Sequence, residues 1–243
     1  MRLACLTLGL LCAPPAGAED LYRVPWPEGL TFMFTQVPGG RVTTHFTPAT
    51  LQAVDIAMPE GVPVLAARAG RVEATESQQG ASPEEEPLSY EGNFVRVRHA
   101  DGSVAVYAHL RHLGVAVAAG DGVAAGELLG YSGSSGDVTT PHLHFAVLRE
   151  RTNSAGWREE VSEPVTFYVG SPPVAFAPRA AVRVTANYSR PAETPRAASE
   201  GRLFPWQPPA RGPGEEARAW RLLALWLACG IAGLAWFWRF SRK

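Results

Sequence analysis

The sequence predicts an all-β domain, a compact antiparallel β-sheet, followed by a proline-rich tail and one C-terminal transmembrane helix. Three observations carry this expectation. From about Leu21 to Gly170, short apolar runs alternate with Gly, Pro and Asp punctuation, and no amphipathic helical period intervenes. From Ser171 to Ala217, prolines recur at 172, 173, 178, 191, 195, 205, 208, 209 and 213 among small and charged residues. Leu222 to Trp238 is apolar on every face.

Taken in order, the chain opens on a secretory signal, expected over residues 1–18. Arg2 supplies the positive end, Leu3 to Leu11 the apolar centre, and Ala16-Gly17-Ala18 the small-residue cleavage site. Residues 19–170 form the expected domain, about 150 residues and enough for one core. Its candidate strands are Ala53–Met58, Val62–Ala67, Gly70–Glu76, Asn93–His99, Val104–His109, Glu127–Tyr131, Leu143–Leu148 and Val165–Val169. Residues 171–217 read as a linker. Residues 218–240 read as a membrane span, with Trp220 at one edge and Trp236, Trp238 and Phe240 at the other, and residues 241–243 as a short basic tail. The signal orients this single pass with the domain on the periplasmic face of the inner membrane and the C-terminus cytoplasmic.

Composition excludes several classes. The net charge is −1, without the basic excess that nucleic-acid binding needs. The cysteines are Cys5, Cys12 and Cys229, so the exported domain has neither a disulfide framework nor thiolate ligands. Any metal must be held by His, Asp or Glu. The one lysine, Lys243, ends the chain, which argues against a biotinyl- or lipoyl-type carrier: such a domain needs a lysine at a hairpin tip.

Chemistry concentrates around Pro141-His142-Leu143-His144-Phe145. On a strand, His142 and His144 share one face while Leu143 and Phe145 enter a core. Two adjacent imidazoles are poor core material without partners, and a metal ion satisfies one of them. Asp55, in Ala53-Val54-Asp55-Ile56-Ala57, sits between β-branched residues, where a carboxylate seeks a cation. His45 precedes it by ten residues in a loop able to fold back over that face. One His, one Asp and one His from the 142–144 pair make a three-ligand site with a fourth position open to water, the catalytic zinc pattern. His109 ends Val104-Ala105-Val106-Tyr107-Ala108-His109, and alternation puts Tyr107 and His109 on one face, both near the site. His99 and His112 read as structural.

Several separated motifs stand in one order: His45 and Asp55, Val64-Leu65-Ala66, Gly70-Arg71-Val72, Asn93-Phe94-Val95, Tyr107-Ala108-His109-Leu110, Gly130-Tyr131-Ser132-Gly133 and the 141–145 run. This order resembles the lysostaphin/LytM-type zinc metallopeptidases, family twenty-three of the metallopeptidases, which cut peptide cross-links of bacterial cell walls. The resemblance runs from about Gln36 to Leu148. It implies His45, Asp55 and His144 as ligands of one zinc per domain. It also implies His109 and His142 as catalytic histidines, and a β-sheet core with a groove walled by loops. A membrane-tethered endopeptidase acting on peptidoglycan through a zinc-activated water is the expected function. The alternative is a non-catalytic wall-binding or amidase-activating module on the same fold. Two departures stand out. The first His and the Asp are usually separated by four residues, here by ten. The segment before Pro141 reads Asp137-Val138-Thr139-Thr140 where a Gly is usual, and it is expected to border the groove; the acidic loop Ser77–Tyr90 reads either as another wall or as a plain solvated hairpin loop.

Overall fold

The short apolar runs fold as strands, and the eight expected ones are all present. The computed structural model describes residues 21–80, 92–192 and 196–197. Its strands are β1 (Leu21–Arg23), β2 (Thr31–Gln36), β3 (Val54–Ala57), β4 (Pro63–Leu65), β5 (Gly70–Glu76), β6 (Asn93–Arg98), β7 (Val104–Val115), β8 (Gly122–Val123), β9 (Leu128–Ser132), β10 (Leu143–Thr152), β11 (Arg158–Glu163), β12 (Thr166–Val169), β13 (Val174–Phe176), β14 (Val182–Thr185) and β15 (Arg196–Ala197). Among the described residues there is no α-helix, and none long and apolar enough to cross a membrane. The expected signal, the membrane span, the basic tail and residues 81–90 of the acidic loop lie outside the described residues.

One large sheet runs in the order β15-β14-β2-β3-β10-β7-β6-β5-β8, with β11 beside β10 and β9 joining β4 to β7. Its pairings are antiparallel. A three-stranded sheet, β1-β12-β13, covers one face and holds the one parallel pair among the described residues, β1 with β12. Phe34, Val54, Ile56, Tyr107, Phe145 and Phe167 meet in the core between the sheets. Fully burying an aliphatic or Phe side chain is worth about 1.5–3 kcal/mol, so this layer dominates stability.

Alternation sends the intervening residues to the outer face. There Ala53, Val104, Val106, Ala108, Ala146 and Leu148 form a second, smaller cluster. The centre of the sheet is thus buried on both sides. Polar side chains placed among these small residues, at the end where β3, β7 and β10 meet, are withdrawn from water.

The expected boundary at residue 170 is corrected. Val182–Thr185 pairs with Thr31–Met33 of β2, and Phe176 packs on Phe34 and Phe167. Tyr188 accepts a hydrogen bond from the Val24 amide at 2.9 Å. The first part of the proline-rich stretch therefore belongs to the domain. Its prolines flank short strands, where a missing amide costs no ladder bond. Asn187 is buried too: its side chain donates to the Pro191 carbonyl and accepts from the Arg190 amide.

Candidate metal centre

Asp55 and His144 stand directly opposite each other in the β3–β10 register, both on the outer face. Side chains opposed across antiparallel strands approach closely. His144 Nδ1 donates to Asp55 Oδ1 at 3.0 Å. His45 comes from the loop between β2 and β3, with its Nε2 3.3 Å from the same oxygen. The three residues can each offer one ligand atom within 4.8 Å of the others, and all are buried. His142, in a bridge with Gly133 just before β10, brings Nε2 to 3.8 Å from Asp55 Oδ2.

His109 arrives by a different route. Strict alternation along β7 would send it into the core with Tyr107. Instead its φ is 63°, and the β6–β7 register shifts there, Phe94 pairing with Ala108 but Asn93 with Leu110. His109 is the extra residue of a β-bulge. The bulge keeps it on the outer face beside Ala108, and Leu110 takes the next core position. The His109 ring lies 4.7 Å from that of His142 and 5.7 Å from that of His144, centroid to centroid. The expectation that Tyr107 shares the site is overturned. Its ring packs on Phe145 in the core, and its hydroxyl accepts the Ala67 amide at 2.8 Å.

Each of the two remaining histidines has one nitrogen committed. His109 Nδ1 donates to the Ser135 carbonyl at 2.9 Å, and His142 Nδ1 to the Thr140 carbonyl at 2.8 Å. A carbonyl only accepts, so in each neutral ring the proton sits on Nδ1 and Nε2 is left with a free lone pair. Burial drives the His109 pKa down to about 3, with the neighbouring His142 and His144 adding to the effect. For Asp55, burial opposes ionisation. The hydrogen bonds and charges of His144, His45 and His142 outweigh it and hold the carboxyl well below the usual carboxylate range. A buried carboxylate ringed by imidazoles at neutral pH results.

The donor set fits a zinc ion. Tetrahedral ligands at about 2.0–2.1 Å from zinc stand roughly 3.3 Å apart, close to the 3.3 and 3.0 Å separations found here. As plain core the cluster is poor material, for His45 Nδ1 is also buried without a hydrogen-bond partner.

The structure keeps the two histidines read as structural away from this cluster. His99 donates Nδ1 to the Ala69 carbonyl at the opposite end of β6, and His112 is exposed, with Nδ1 3.3 Å from the Gln79 carbonyl.

Two supporting residues are given no part in the site by the sequence reading, which quotes Asn93 only within a strand and a motif. Asn93 donates its side chain to the Leu110 carbonyl at 3.2 Å and its amide to Ser135 Oγ at 2.8 Å. Ser135 Oγ donates to the Leu110 carbonyl at 2.6 Å. Together they hold the carbonyl of Leu110, the residue that follows the bulge. A polar Asn opening an apolar strand was the available signal, since Asn is depleted in strands.

The chain is similar in sequence to known proteins. The model of peptidase family M23 matches residues 49–155, which contain Asp55, His109, His142 and His144. The matched segment is less than half of the chain. His45 lies just before the matched residues, so its place in an M23 site rests on the distances above. A peptidoglycan DD-endopeptidase of Vibrio cholerae, ShyC, is 32% identical over 118 residues, covering 44% of this chain and 24% of that protein. The DD-carboxypeptidase/endopeptidase Mpg of Neisseria meningitidis is 36% identical over 92 residues, covering 38% of this chain and 18% of that protein. The chain thus spans a quarter or less of the length of these curated relatives. Lysostaphin from Staphylococcus simulans superposes with a TM-score of 0.41 at 26% identity, over 58% of this chain and 51% of that one.

Proposed function

We propose that this domain is a zinc-dependent endopeptidase that hydrolyses peptide cross-links of bacterial peptidoglycan. The observation that carries the reading is the convergence of five side chains, four buried and His142 partly exposed: His45, Asp55 and His144 around one carboxylate oxygen, with the free ring nitrogens of His109 and His142 beside them. His45, Asp55 and His144 would hold one zinc ion per domain. Bound zinc supplies Lewis-acid polarisation of a peptide carbonyl and eases deprotonation of water.

The protein's own residues do the rest. Asp55, its pKa lowered against burial by the histidines around it, is ionised at neutral pH and brings the negative charge a dication needs. His109 and His142 are tautomerically fixed by the Ser135 and Thr140 carbonyls, so that Nε2 of one can accept a proton and Nε2 of the other, once protonated, can donate to a leaving amine. Burial keeps His109 neutral, with its Nε2 lone pair available, and at the same time weakens it as a base. The non-catalytic alternative calls for a broken site, whereas here all five side chains meet. Export to the periplasmic face and tethering by residues 218–240 complete the proposal and are supported by the hydropathy and charge of the sequence.

The test is elemental analysis of the purified protein together with digestion of purified sacculi. One zinc per chain and release of cross-link peptides are expected. His45→Ala and His144→Ala should lose the metal. His109→Ala should keep it and lose about 10²–10⁴-fold in rate, the usual weight of a positioned acid or base. A chain that stays free of zinc after reconstitution, or digests sacculi as well without it, would refute the proposal.

A further inference from the structure

The nine residues between His45 and Asp55 must be taken up without letting His45 drift from the site. The chain rolls them. The Thr50 and Leu51 amides both donate to the Thr47 carbonyl at 2.9 Å, and the Ala53 amide to the Thr50 carbonyl at 2.8 Å. The Thr47 and Thr50 hydroxyls meet at 2.9 Å across the roll.

The roll is fastened by one side chain of β11. The Ser162 amide and hydroxyl both donate to the Pro48 carbonyl, at 2.8 and 2.9 Å, and the hydroxyl accepts the Gln52 amide at 2.9 Å. A single buried serine thus ties both ends of the segment to the sheet. On the other side of His45 stands Gln36, which pairs with Asp55 in the β2–β3 register. Gln36 Oε1 accepts the Thr44 amide at 2.7 Å, and its Nε2 lies 3.4 Å from Thr44 Oγ1. The His45 amide itself donates to Thr43 Oγ1 at 3.0 Å.

These bonds do not serve a core. Among residues 41–52, His45 is the only buried one, while Phe46 is 74% and Leu51 50% exposed. Little apolar area is gained by ordering the segment, and ordering costs roughly 1–2 kcal/mol of backbone entropy per residue. What the bracing delivers is the location of one imidazole.

We infer that Ser162 and Gln36 are positioning residues that hold His45 against Asp55 and His144, and thereby set the metal affinity of the site. The inference rests on the zinc reading above. Removing a group that orients a ligand typically weakens metal binding 10–100-fold. Zinc affinity of the full-length protein, measured by competition with a chromophoric chelator, tests it for wild type, Ser162→Ala and Gln36→Ala, with thermal unfolding of the metal-free forms alongside.

The expected result is zinc binding weakened tenfold or more in both variants, with each still folded at the assay temperature. A merely structural role would lower the metal-free unfolding temperature and leave the affinity alone. Affinities within twofold of wild type in both variants would overturn the inference while leaving the zinc reading intact. A wild type that takes up no zinc would overturn both. Should Ser162→Ala not fold, Gln36→Ala decides, since its side chain leaves only the surface contact with Thr44.

Discussion

Tyr107→Phe separates a core role from a site role. The Tyr107 hydroxyl accepts the Ala67 amide at 2.8 Å, and both residues are buried. Burial moves its pKa well above the ordinary phenol value, so it stays protonated at any working pH. Deleting the oxygen keeps the ring against Phe145 but strands a buried N–H. The cost of a buried group left unpaired is about 1–3 kcal/mol. For a domain of this size each kcal/mol lowers the unfolding midpoint by roughly 2–4 °C, so the expected drop is about 2–12 °C. Peptide hydrolysis, assayed well below the midpoint, should keep kcat and kcat/KM within about twofold of wild type. Calorimetry with parallel kinetics reads both. An unchanged midpoint accompanied by a tenfold fall in kcat would refute the placement of Tyr107 in the core, and with it the bulge that separates it from His109.

Three further outcomes follow from the same geometry. Gly92→Ala should destabilise the protein and impair hydrolysis together, because φ is +61° there and a Cβ would press on the Ser135 carbonyl that fixes His109; an active variant of wild-type stability would refute that coupling. Chelation should abolish hydrolysis and lower the unfolding midpoint, with zinc restoring both, since a ligand held only by the folded state stabilises it; unchanged melting on chelation would count against the site. At the far end of the sheet, burial opposes ionisation of Asp101, but hydrogen bonds from Ser103 and Arg68 bring its pKa to about 2. With the folded value below the unfolded one, its stabilising contribution is complete above about pH 4 and disappears as pH falls through about 2. Urea titrations across that window should show a shallower acid-side loss in Asp101→Asn than in wild type, and identical slopes would refute the assignment.

Much of the fold was legible because strand alternation is a local property. Val54 and Ile56 against Asp55, and Leu143 and Phe145 against His144, declare their faces from composition alone. What was not legible had local reasons as well. β11 reads Arg-Glu-Glu-Val-Ser-Glu and pairs along β10 at the edge of the sheet, where charged side chains reach water and apolar patterning is not required. β13 and β14 lie among prolines that look like linker until Phe176 and Val184 are seen in the core.

By itself, then, the sequence determined the all-β class, the absence of thiolate chemistry in the domain, and the residue types able to hold a metal and move protons. Tertiary structure decided which of them meet. His109 faces the site because a left-handed residue breaks the alternation of β7, a conformation uncommon enough outside glycine that the alternating pattern gives no sign of it. His45 reaches Asp55 across nine intervening residues because Ser162, more than a hundred positions along the chain, fastens the roll between them. A contact between distant segments depends on how strands pair, and that pairing is a property of the assembled sheet rather than of any one stretch of chain.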